Sequence, residues 1–181
     1  MRVLVVYGSK RGGTAGLAAM IGNALEDAGL STDVAPASTV RSLAGYDAVI
    51  VGGALYATRW HRDARRFVRR YAADLSALPV WLFSSGPLDD SAAGAEIEPV
   101  AQVKTAMRLC HARGHATFGG RLSPQAQGFP AAAMAKKMSG DWRDEAHVSR
   151  WAKDLAGQLD PGRGGGVRAS GQLPAEAKRG V

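Results

Sequence analysis

Short, continuous apolar runs alternate along this chain with longer segments whose apolar residues recur every three to four positions. Val3, Leu4, Val5 and Val6 lie within a run from Arg2 to Tyr7 that reads as a strand buried on both faces. A polar, Gly-rich turn follows from Gly8 to Gly13. Thr14 then opens a helix with Leu17, Ile21, Leu25 and Ala28 on one face, stopped by Gly29. Residues 31–35 predict a short strand centred on Val34. Ala48–Val51 predicts a second fully apolar strand, ended by Gly52-Gly53, with a loop running to Trp60. From His61 to about Ala73, Ala64, Phe67, Val68 and Tyr71 follow the helical i, i+3, i+4, i+7 pattern. Arg62, Arg65, Arg66, Arg69 and Arg70 take the wet side.

Pro79–Phe83 predicts the next strand, closed by Ser84-Ser85-Gly86-Pro87. Pro99 suits the first turn of a helix that carries Val100, Val103, Met107 and Cys110 inward until Gly114. Ala116–Leu122 is the fifth strand candidate, interrupted by Gly119 and Gly120. Residues 123–140 read as loop, and a last helix spans Arg143 to Leu159. Apolar strands alternating with amphipathic helices predict an α/β fold: a parallel sheet, covered on both faces, with right-handed crossovers.

Composition narrows the class. The 181 residues are 46% hydrophobic and 22% charged, which suits one domain and excludes a disordered chain, a collagen repeat or a coiled coil. The domain is expected over residues 1–159. Residues 160–181 begin Asp-Pro-Gly-Arg-Gly-Gly-Gly and are too poor in apolar side chains to fold alone, so a flexible tail is expected there. No run of roughly 18 apolar residues offers a transmembrane helix, and the first residues enter a strand pattern without a basic leader, so a cytoplasmic location is expected. The single cysteine, Cys110, sits on the apolar side of its helix and reads as a core thiol.

The formal net charge is +7, and its location matters more than its size. Between Arg59 and Arg70 six arginines face Asp63 alone, a local +5, and the last 22 residues add +2. The rest of the chain is neutral. Without interleaved stacking aromatics or a reader motif, this basic helix does not point to nucleic acid. It fits an acidic protein or peripheral contact with an anionic membrane, or it is simply a solvated face.

Three loops leave the carboxyl ends of predicted strands, where open α/β sheets bind ligands: residues 8–14, 53–60 and 84–94. In the first, Ser9-x-x-Gly12-x-Thr14 joins a strand to a helix N-terminus. Its glycines and short hydroxyl side chains let consecutive amides wrap a phosphate. Neither G-K-[ST] nor G-x-G-x-x-G is present, so a single phosphate fits better than a nucleoside triphosphate or a dinucleotide. A Gly-rich turn that binds nothing, with Thr14 as a plain helix cap, is the alternative. The four histidines (His61, His111, His115 and His147) lack metal-ligand spacing, so no metal is expected, and Ser84-Ser85 is not a nucleophile elbow. Asp89 and Asp90 read as solvated loop charges.

Tyr7-Gly-Ser-Lys-Arg-Gly-Gly-Thr14 resembles the FMN-phosphate loop of flavodoxins. Asp47-Ala-Val-Ile-Val-Gly-Gly-Ala-Leu-Tyr-Ala-Thr-Arg-Trp-His61 resembles the second flavin loop, most closely in the branch containing quinone-dependent protoporphyrinogen dehydrogenase. Ser84-Ser-Gly-Pro87 stands where that family has its third loop. Phe118-Gly-Gly-Arg121 and Lys136-Lys-Met-Ser-Gly-Asp-Trp142 resemble the branch's C-terminal part. The resemblance spans residues 1–159.

It implies a flavodoxin-like three-layer sandwich whose five-stranded parallel sheet has order 2-1-3-4-5, with FMN as cofactor. Ser9, Lys10, Gly12, Gly13 and Thr14 would hold the phosphate. Leu55, Tyr56, Ala57, Thr58 and Trp60 would line one side of the isoalloxazine, with Trp60 the favoured stacking ring, and Ser85, Gly86 and Pro87 the other edge. His61 either donates near the flavin or caps its helix. The implied activity is oxidation of protoporphyrinogen with a quinone as acceptor, and the implied partner is a quinone or a redox protein. A small electron carrier and a flavin-free binding module with a basic face are the alternatives. Two departures bear on this: residues 122–140 are short for the porphyrinogen-oxidising members, and Arg59 and Arg62 stand where ordinary flavodoxins are acidic. A charge pair about 8 Å apart at an effective dielectric of about 20 is worth roughly 2 kcal/mol. That sign favours a two-electron acceptor.

Overall fold

The computed structural model describes residues 1–10, 12–86, 88, 97–125 and 139–160. In chain order its elements are β1 (Arg2–Gly8), α1 (Gly13–Asp27), β2 (Ser31–Pro36), β3 (Ala48–Tyr56), β4 (Arg59–Trp60), α2 (Arg62–Arg70) and α3 (Ala72–Ser76). After these come β5 (Val80–Ser85), α4 (Ala101–Cys110), β6 (Gly114–Phe118), β7 (Arg121–Leu122), β8 (Gly140–Asp141) and α5 (Glu145–Leu159). The five long strands are parallel in the order β2-β1-β3-β5-β6, which is the 2-1-3-4-5 order expected once β4 is set aside.

The two faces of β1 explain its unbroken apolar run. Val3 and Val5 pack with Leu17, Ile21 and Leu25 of α1 and with Val148, Ala152 and Leu155 of α5. Leu4 and Val6 point the other way, into a cluster with Ala64, Phe67 and Val68 of α2, Leu75 of α3 and Val103 of α4. A central strand covered on both sides cannot alternate apolar with polar residues, because neither face meets water. Cys110 lies in the second cluster, where burial pushes its thiol up to about 11.

Gly29 ends α1 as expected. Its φ is +84°, its N–H bonds the Glu26 carbonyl at 2.8 Å and the Leu30 N–H bonds the Leu25 carbonyl at 3.0 Å. Several expected boundaries move. The strand through Ala48–Val51 does not end at Gly52-Gly53 but continues to Tyr56 and turns back antiparallel into β4. The glycines are there because neighbours fill the space of a side chain: a Cβ on Gly52 would stand 2.0 Å from the Phe83 ring, and one on Gly53 2.4 Å from the Trp60 indole.

The helix expected over 61–73 is two helices, α2 and α3, broken at Tyr71, whose hydroxyl donates to the Val40 carbonyl at 3.2 Å. The fifth strand occupies Gly114–Phe118 rather than 116–122. Gly119 and Gly120 separate it from β7, which pairs with β8 in a small ribbon. A Cβ on Gly119 would overlap the Trp142 carbonyl, so that separation is built by close backbone approach. Pro99 lies one residue before the Val100 cap of α4 rather than in its first turn, and the last helix begins at Glu145 behind an Asp144 cap. Most of the stretch read as loop at 123–140, and the tail beyond Asp160, fall outside the described residues.

Candidate functional site

Strand register brings the three loops together. Gly8 pairs with Gly53 across β1 and β3, and Ala54 pairs with Ser85 across β3 and β5, so the loops leave the sheet side by side. A Cβ on Gly8 would stand 2.8 Å from His61 Nδ1, which sets the phosphate-type loop against the start of α2. On the other side Gly86, at φ +126°, faces Leu55, and its N–H bonds the Phe118 carbonyl at 3.0 Å. Loops 53–60 and 84–86 are therefore neighbours.

The first loop leads into a helix N-terminus that no side chain caps. Gly12 takes φ +79°, a left-handed conformation available to glycine without steric cost, and turns the chain into α1. Gly12 N–H is held by Ser9 Oγ at 3.2 Å. The first backbone bond of α1 runs from the Gly16 N–H to the Gly12 carbonyl, so the amides of Gly13, Thr14 and Ala15 have no carbonyl of their own helix to bond. No side chain caps the helix, and its first turn holds no acidic residue.

Thr14 is 1% exposed, and its Oγ1 finds no hydrogen-bond partner among the described residues. A buried hydroxyl left alone is costly, so an acceptor oxygen placed beside it would relieve that cost. Thr14 is thus not the plain cap that the alternative reading supposed. Tyr7 packs partly buried against the core below.

The second loop is a two-residue hairpin. Leu55 opposes Trp60 and Tyr56 opposes Arg59, leaving Ala57 (φ +46°) and Thr58 (φ +61°) in the turn. Two successive positive φ values define the tight turn that suits a right-twisted hairpin, but such turns ordinarily use Asn and Gly. A β-branched residue there is strained, and strain of this kind gathers at ligand-binding loops. Tyr56 is 39% exposed, and its ring centroid stands 6.3 Å from that of His61. Trp60 is 1% exposed, packed among Val51, Ala64 and Phe67, so the stacking role favoured for it does not fit. The indole anchors the hairpin instead. The Trp60 backbone N–H donates to Gln102 Oε1 at 3.0 Å, tying the hairpin to α4.

His61 takes the capping role, with Nδ1 accepting from the Asp63 N–H at 3.3 Å. Burial lowers its pKa against the pull of Asp63, and the cations Arg62, Arg65 and Lys10 lower it further. Ser9, Lys10, Gly12, Gly13 and Thr14 thus follow β1, Leu55–Thr58 lie at the end of β3 and in its hairpin turn, and Ser85 and Gly86 end β5, all at the same edge of the sheet. Pro87 lies outside the described residues. Two features escaped sequence reading. Arg121 lies beside Gly13, whose Cβ would stand 3.4 Å from the Arg121 carbonyl, and the Arg143 guanidinium covers Gly16. Asp141 links the two arginines, at 3.8 Å from Arg121 and 2.5 Å from Arg143. The signal was Gly16 itself, a glycine inside a helix with no turn to serve.

Among the described residues no group of three His, Cys, Asp or Glu side chains could hold a metal, and no helix is long and apolar enough to cross a membrane.

Residues 4–146 match the model of the flavodoxin domain family. The chain belongs to the flavodoxin domain family. Solved flavodoxins share its fold at low identity. A flavodoxin from the domain Archaea has 17% identity and a TM-score of 0.59 over 88% of this chain and 99% of its own. Two-electron reduced Megasphaera elsdenii flavodoxin has 17% identity and a TM-score of 0.60 over 86% and 98%. A Streptococcus pneumonia flavodoxin has 18% identity and a TM-score of 0.54 over 89% and 99%. No curated protein matches the chain. The flavodoxin domain thus accounts for the sheet order and for the three loops at its carboxyl edge.

Proposed function

We propose that this domain binds FMN and passes electrons between that cofactor and a partner. The observation that carries the reading is the buried Thr14 hydroxyl, unpartnered among the described residues, at an uncapped helix N-terminus beside two further loops at the same sheet edge. The residues fit a flavin monophosphate. Ser9, the Thr14 hydroxyl and the amides of Gly13 and Thr14 would hold the phosphate, with Gly12 shaping the turn and Lys10 adding charge. Tyr56 would cover one face of the ring system, with Leu55, Ala57 and Thr58 beside it, and Ser85 and Gly86 would meet the other edge.

Bound there, the flavin would supply one- or two-electron transfer; the protein's part is position and field. Trp60 and Gln102 hold the hairpin in place, and Gly86 allows the third loop to approach it. Arg59 is the cross-strand partner of Tyr56, so both side chains project from one face of the hairpin. Positive charge at that edge favours added electrons and supports a two-electron role. The cofactor released on denaturing the purified protein, identified by mass and visible spectrum, tests the reading. FMN is the expected result; colourless protein that takes up no added FMN overturns it.

The narrower reading is oxidation of protoporphyrinogen with a quinone as acceptor. It is supported by the resemblance of the 47–61 and 118–121 segments and by the arginines at the flavin edge. Anaerobic incubation of the FMN-loaded protein with protoporphyrinogen should reduce the flavin, and a quinone analogue should reoxidise it. A flavin that stays oxidised leaves the electron-carrier role.

A further inference from the structure

The cations of α2 are not absorbed by the site. Arg62, Arg65, Arg66 and Arg69 follow i, i+3, i+4, i+7 and so share a stripe. Arg62 reaches Asp63 at 3.5 Å, but Arg65, Arg66 and Arg69 have no carboxylate partner among the described residues, and Arg65 Nε is buried without a hydrogen bond. α4, packed alongside, adds Lys104 and Arg108 and carries no acidic residue; Lys104 pairs with Glu98. Between the helices runs a groove of about 240 Å³, lined by Arg65, Arg69, Gln102, Thr105 and the 43%-exposed Leu109, over a floor of Val68. Gln102, at the end of this groove, is the residue that accepts from the Trp60 N–H, so the groove abuts the Tyr56 hairpin.

We propose that the α2–α4 groove docks an acidic helix on the surface of a protein redox partner. The proposal rests on the reading that the cofactor lies against Tyr56, since a partner seated here would stand next to that ring. Three features favour a protein. The surface is concave, and a fluid bilayer presents no fixed ridge to fill it. Leu109 is its single large exposed apolar side chain among the described residues, which suits one apolar anchor rather than insertion into lipid. The unpaired cations are all arginines at helical spacing, whose planar forks pair with carboxylates two bonds at a time and match glutamates at the same spacing on an opposing helix.

The test uses the full chain and a fluorescent helical peptide with glutamates at i, i+3, i+4 and i+7 around one leucine. Binding is read by anisotropy. The expected result is binding that weakens with salt and is at least tenfold weaker for Arg65→Glu/Arg69→Glu. Arg41→Glu/Lys153→Glu, which changes the net charge equally at exposed sites elsewhere, should bind as the unaltered protein does. Equal loss in both double variants reduces the effect to net charge and overturns the proposal. So does failure of the peptide to bind while phosphatidylserine vesicles capture the unaltered protein and not Arg65→Glu/Arg69→Glu. FMN uptake is measured on the same proteins. Peptide binding without FMN uptake would sink the cofactor reading and leave the docking surface standing.

Discussion

A Cβ on Gly53 would stand 2.4 Å from Nε1 of Trp60. This contact joins the last parallel stretch of β3 to the hairpin that turns back from it. The indole fills the place of the missing side chain, and the hairpin closes over the sheet edge only because that place is empty. Gly53→Ala therefore forces the indole outward. Overpacking of a tight core costs about 1–3 kcal/mol, and the hairpin bearing Tyr56 moves with the ring. Urea unfolding should show a lower midpoint, and FMN should bind more weakly.

The turn residues predict the opposite sign. Thr58 at φ +61° carries a β-branched side chain where glycine is at ease. Thr58→Gly should stabilise the domain by about 1 kcal/mol: about 2 kcal/mol of relieved strain, less up to about 1 kcal/mol that the more flexible unfolded chain gives back. Denaturant midpoints of the two proteins decide it.

Acid should weaken the fold through His115. Its Nε2 lies 2.9 Å from the buried Ser84 hydroxyl, and burial lowers its pKa from 6.5 to about 4. The unfolded chain takes up the proton first, so stability is full above pH 6.5 and is lost as pH falls toward about 4. The loss amounts to a few kcal/mol at about 1.4 kcal/mol per pH unit. His115→Gln, which can still bond Ser84, should flatten that slope in thermal unfolding across the same range.

At still lower pH the Asp141–Arg143 pair contributes. Hydrogen bonding to Arg143 holds the Asp141 carboxyl below its ordinary value. The stability from the pair is present above the ordinary aspartate range and lost as pH falls through the lowered pKa. Asp141→Asn should destabilise the protein at neutral pH, and its melting temperature should converge with that of the unaltered protein in acid.

Much of this was legible in the sequence because strands and helices have different periods. The unbroken run Val3–Val6 required a strand covered on both faces, and Leu17, Ile21 and Leu25 required a helix to cover one of them. The loops at the carboxyl ends followed from that order. What was not legible depends on contacts between distant residues. Gly52-Gly53 read as a strand end because a glycine pair ordinarily breaks a strand; only Phe83 and Trp60, brought close by folding, show that the glycines make room. Trp60 read as a stacking ring for the same reason, since nothing local distinguishes an aromatic that lines a slot from one that anchors its wall. Arg143 could not be linked to Gly16 across more than a hundred residues.

In the proposed function Thr14 and its neighbouring amides grasp a phosphate. Titration of the flavin-free protein with FMN and with riboflavin, followed by quenching of flavin fluorescence, tests it most directly when repeated on Thr14→Val. FMN should bind the unaltered protein much more tightly than riboflavin. Thr14→Val should weaken FMN about tenfold, the equivalent of one charge-assisted hydrogen bond of about 1.4 kcal/mol, while riboflavin binding and fold stability hold. Equal affinities for the two flavins, or an FMN affinity that ignores Thr14→Val, would contradict the proposed function.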